Sequence, residues 1–135
     1  MTTRIHTLAL AVLATLAAAA HAQGPAATSN SPEADASLYG ESVLLPRRAA
    51  VCAERIADYS PRFQHAYEAW RADNAVRIAS GSKFMHDSAA KGGVDADAGM
   101  AKVGDQEVER LRKTTPELLA RHCALLLETL APTAN

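Results

Sequence analysis

The sequence predicts an all-α fold, a small three- to four-helix bundle stapled by one disulfide. Three observations carry that prediction. Apolar residues recur at three- and four-residue spacing in several segments. No run shows the alternation or β-branched enrichment of a strand. The two cysteines, Cys52 and Cys123, fall mid-helix in the first and last helices, so a disulfide would staple the two ends of the domain face to face.

The first helix is expected from Pro46, whose missing N–H costs nothing in a first turn. Ala49, Ala50, Cys52, Ala53, Ile56, Ala57 and Tyr59 then form one apolar stripe. Ser60-Pro61 ends it and opens the second helix, with Ser60 as cap. That second helix carries the strongest pattern: Phe63, Ala66, Tyr67, Trp70, Asn74 and Ile78 share one face. It runs to about residue 79 and beyond, because Met85 and Ala89 extend the stripe past Gly81 and Gly92-Gly93 is the firmer break.

Residues 91–99 form a loop by composition. A third helix over 98–113 presents Met100, Val103, Val108 and Leu111, supported by the Glu109–Lys113 pair and weakened by Gly104. The fourth starts at Thr114-Thr115-Pro116-Glu117, with either threonine as cap and a capping box open to Thr114 and Glu117. Leu118, Leu119, His122, Cys123, Leu126, Leu127 and Leu130 give it a broad apolar face that ends at Pro132.

Upstream, Arg4 is followed by an apolar run over 8–20 and then Ala20-His21-Ala22. A positive start, an apolar core and an Ala-x-Ala end make a secretory signal peptide over 1–22, cleaved after Ala22. The run is too short to span a bilayer, and no cysteine stands at the cleavage point to carry a lipid. Residues 23–37 lack large apolar side chains and read as a flexible leader. Residues 38–132 are then a single helical domain, destined for the bacterial periplasm or the medium.

Of 14 Lys/Arg and 15 Asp/Glu, only Arg4 falls in the signal, which leaves a net charge of −2. That balance disfavours nucleic acid, which needs a clustered basic surface, and anionic lipid. No stable membrane insertion is expected. In an exporting compartment the two cysteines pair. Closing a loop of 71 positions is worth roughly 4 kcal/mol in the chain-entropy model.

The remaining chemistry is sparse. His65, His86 and His122 include no i, i+4 pair of ligands, so no metal site is expected. Asp95-Ala96-Asp97-Ala98-Gly99 resembles the start of a calcium loop but fails at positions five, six and twelve. Glu54/Asp58 is the sort of carboxylate pair that any solvated helix face provides. With no nucleophile elbow, phosphate loop or haem motif, neither an enzyme nor a cofactor is expected.

Phe63, Tyr67, Trp70 and Asn74 are the candidate site, as core or as binding face: three of the six aromatic residues lie on one stripe. The expected activity is therefore binding without catalysis, for example as an inhibitor or immunity-type partner of another envelope protein. The alternatives are a periplasmic acid-stress chaperone, opened when carboxylates protonate, and a carrier of an apolar small molecule in the bundle core.

Overall fold

A computed structural model describes residues 31–131. The predicted signal peptide and the first part of the leader lie outside the described residues. Five helices follow in order: α1 (Pro32–Ala53), α2 (Tyr59–Asp73), α3 (Ala75–Lys91), α4 (Ala96–Arg112) and α5 (Pro116–Thr129). Strands are absent among the described residues. The helix count of five corrects the expected three to four, because the long second helix divides at Asn74.

α1 is the spine against which the other four pack. It begins at Pro32, so residues 32–37 are helix and not leader. Ser31 accepts from the Ala34 N–H at 3.2 Å, Pro32 occupies the first turn, and Glu33 and Asp35 sit where the helix dipole favours negative charge. Capping, rather than apolar burial, starts this helix. Pro46 consequently falls inside α1 instead of opening it. Its missing N–H leaves the Ser42 carbonyl without its helical donor, and the Tyr67 hydroxyl donates to that carbonyl at 2.5 Å.

The chain leaves α1 through a tight turn in which Asp58 adopts a left-handed conformation (φ 56°). Ile56 and Ala57 thus belong to the turn, and α2 starts at Tyr59, one residue before the expected Ser60 cap. α2 stops at Asn74 (φ −104°, ψ 9°), whose side-chain amide donates to the Trp70 carbonyl at 2.8 Å. A side chain that competes for the backbone in this way locally breaks helical geometry. α3 resumes at once and runs through Gly81.

Gly81 is a contact point rather than a stop. A Cβ there would lie 1.9 Å from the Asp35 carbonyl oxygen, so only glycine lets the backbones of α1 and α3 approach this closely. Asp95 caps α4 by accepting from the Ala98 N–H at 3.0 Å. Thr115 caps α5, while Thr114 donates to the Arg110 carbonyl and forms no capping box.

The core gathers at one end. Leu45, Ala49, Val51, Cys52, Tyr59, Phe63, Leu111, Leu119, Cys123, Leu126 and Leu130 form one buried cluster. The Cys52–Cys123 disulfide runs through it with Cα atoms 5.8 Å apart, tying α1 to α5. The other end is less deeply buried, with Ile78, Phe84 and Met85 of α3 half-buried. Gly81 is the single buried residue of α3, and charged pairs hold that end together: Asp35–Arg77 at 2.8 Å and Arg47–Asp105 at 2.8 Å. No described helix is long and apolar enough to cross a membrane.

Candidate functional site

The aromatic face is a stacked ladder. Tyr59, Phe63, Tyr67 and Trp70 follow one another up α2 with ring centroids 6.4, 5.3 and 5.9 Å apart. Tyr59 and Phe63 are buried; Tyr67 and Trp70 are half-buried against the core. The polar tips of Tyr59, Tyr67 and Asn74 each have a local task. The Tyr59 hydroxyl donates to the Cys123 carbonyl at 3.0 Å, Tyr67 serves Ser42, and Asn74 serves Trp70. Burial raises the Tyr59 phenol to about 12. Sequence periodicity placed Tyr59 on the first helix, and the structure adds it to the foot of this ladder.

A second cluster joins three helices at the α3 end. His86 on α3 lies with Nδ1 2.7 Å from the Ser82 carbonyl and Nε2 3.0 Å from an Asp97 oxygen at the start of α4. Tyr39 on α1 donates to the same carboxylate oxygen at 3.3 Å. Both ring nitrogens of His86 therefore face acceptors. The Ser82 carbonyl, and then Asp97, hold its pKa above the ordinary histidine value.

The Ser82 hydroxyl is 3.4 Å from Nδ1, which gives the outline of a serine–histidine–aspartate set. An Nδ1 that donates to the Ser82 carbonyl has no lone pair to take the hydroxyl proton. The arrangement reads as a clasp between helices. The Asp95/Asp97 pair is likewise engaged, one as cap and the other in this clasp. Among the described residues, no group of three or more His, Cys, Asp and Glu side chains is placed to hold a metal ion.

His65 is exposed on α2. His122 differs: its Nε2 is buried without a hydrogen-bond partner. Burial, reinforced by the nearby Arg48 charge, lowers its pKa. Arg48 itself is held by Glu107 through two bonds at 2.6 and 3.2 Å, and by Glu41 at 2.9 Å.

A further concave feature lies elsewhere. A cleft of about 430 Å³ opens where the ends of α1 and α4 meet the start of α5, beside the disulfide. Buried Val51 and Leu119 line it together with Ile56, Ala120, Arg55 and Arg112. Sequence reasoning did not find it, since its residues come from three separate segments with no shared motif. The one available signal was Arg55 beside an apolar stripe. Comparison with protein-family models, with curated proteins and with solved structures returns no match to this chain.

Proposed function

We propose that this chain acts by binding another protein, as an exported helical partner of inhibitor or immunity type in the bacterial envelope. The observation that supports this is the outer face of α5. Leu118 and Leu125 stand two turns apart on that face and are 53% and 54% exposed. Single exposed leucines are ordinary on any surface. Two aligned on one helix face, bordered by exposed Glu117, Arg121 and Glu128, make an apolar strip with a charged rim, the layout of a protein interface.

The test is the native mass of the protein purified without reductant from the envelope of its own host. A discrete added mass of protein size, absent for the Leu118→Asp/Leu125→Asp variant, supports the reading. A bare monomer or homodimer from wild-type cells overturns it.

A second reading, an acid-stress chaperone, is favoured by the asymmetry of the bundle. α3 buries no large side chain fully, Ile78, Phe84 and Met85 being half-buried, and carboxylate-dependent pairs add to its attachment. Protonation would free it and uncover the apolar flank of α1. Protection of an unfolding client below about pH 4, and not at neutral pH, is the result this reading requires.

A further inference from the structure

The cleft between α1, α4 and α5 combines two chemistries. Its buried side is apolar, with Val51 2% and Leu119 5% exposed. Its exposed side carries two guanidinium groups. Arg112 gives Nη2 to Glu54 at 2.6 Å, which uses one of the five N–H donors an arginine carries. The Arg55 side chain makes no hydrogen bond or ion pair among the described residues, and its charge contributes to lowering the Glu54 pKa. Glu109, the other carboxylate acting on Arg112, is paired with Lys113 at 2.9 Å, so the three cations outnumber the two carboxylates and leave a positive rim over an apolar floor. The volume falls within the range of small-molecule sites.

We infer that this cleft binds a small anionic amphiphile, with its apolar body on Val51, Ile56 and Leu119 and its single anionic head on Arg55 and Arg112. This goes beyond protein binding, and it differs from carriage within the bundle core, where the aromatic ladder and disulfide occupy the interior. A planar carboxylate suits the guanidinium fork. A neutral amphiphile forfeits that contact, and a cationic one meets repulsion.

The test is a titration of the disulfide-intact protein at neutral pH with decanoate, decanol and decylammonium, each below its aggregation threshold, read by calorimetry and backbone NMR. Decanoate is expected to bind one per chain, shifting amides around Val51 and Leu119, and about tenfold or more tighter than the other two. Arg55→Glu is expected to weaken decanoate by a similar factor. Ala120→Phe, which fills the cleft from an exposed position, is expected to abolish it; circular dichroism checks that both variants keep their helices.

Absence of decanoate binding, equal affinity for decylammonium, or indifference to Arg55→Glu in a folded protein overturns the inference. The Leu118→Asp/Leu125→Asp variant separates the two proposals, since it removes a protein complex and leaves decanoate binding intact.

Discussion

The Tyr67 hydroxyl donates to the Ser42 carbonyl at 2.5 Å, and Ser42 is the residue whose helical partner would be Pro46. A proline in mid-helix removes one i→i−4 bond, and a side chain from α2 supplies the missing donor. Tyr67 is thus part of the structural solution that lets α1 run unbroken past Pro46. Tyr67→Phe keeps the stacked ring and deletes only the donor. It is expected to cost about 1–2 kcal/mol in urea unfolding. With Pro46→Ala in the same chain the backbone N–H returns, and the cost should fall below about 0.5 kcal/mol. Equal losses in both backgrounds would refute the link.

Two buried helical glycines separate sterics from propensity. Gly81→Ala places a methyl 1.9 Å from the Asp35 carbonyl oxygen, backbone that cannot step aside. Gly104→Ala meets the Arg47 side chain at 2.7 Å, which can swing away. In an otherwise open helix interior alanine gains about 1 kcal/mol over glycine. Gly81→Ala should nonetheless destabilise by about 1–3 kcal/mol, while Gly104→Ala should lie near neutral. Thermal unfolding of the two variants decides it.

His86 and His122 should titrate on opposite sides of the ordinary histidine value. His86 is raised, first by the Ser82 carbonyl and then by Asp97. Its contribution to stability is complete below about pH 6.5 and is lost as pH rises through the folded value. His122 is lowered by burial; its contribution is complete above about pH 6.5 and is lost as pH falls towards the folded value. NMR titration of the ring protons reads both, and Asp97→Asn should lower the His86 midpoint alone.

How much of this was legible beforehand follows from what each signal depends on. The 3.6-residue stripes depend on local spacing, so the helical class could be read directly, and the partnership of Cys52 with Cys123 followed from there being two cysteines in a chain read as exported. α1 was misplaced because Pro32 and Pro46 carry the same local signal, and the Tyr67–Ser42 contact that helps the second to sit in mid-helix comes from a distant part of the sequence. Asn74 looked like one more residue of a face, since its bond to the Trp70 carbonyl is invisible in spacing. Gly81 was ambiguous for a related reason: whether a glycine ends a helix or admits a neighbour depends on α1, a partner distant in sequence. The Tyr39–His86–Asp97 clasp and the α1/α4/α5 cleft are assembled wholly from long-range neighbours.

The disulfide should carry a large share of stability at the apolar end. In the chain-entropy model its loop is worth about 4 kcal/mol. Cys52→Ala/Cys123→Ala also loses buried sulfur contacts, so its unfolding midpoint in urea should fall by at least that of the reduced wild type. A midpoint unchanged by reduction would mean the bond adds nothing.

The central physical claim is that the bundle has two ends of different character. At the α3 end, Asp35 and Asp87 have pKa values lowered first by hydrogen bonds to Arg77 and Lys83. Their contributions are complete above the ordinary carboxylate range and are lost as pH falls through the folded values. Hydrogen exchange at neutral pH and at about pH 2.5, with labelling times scaled for the intrinsic rate, tests this directly. The account predicts that in acid α3 and the first half of α1 lose protection, while the amides around Cys52 and along α5 keep theirs. Simultaneous loss in all five helices, or full retention in α3, would contradict it.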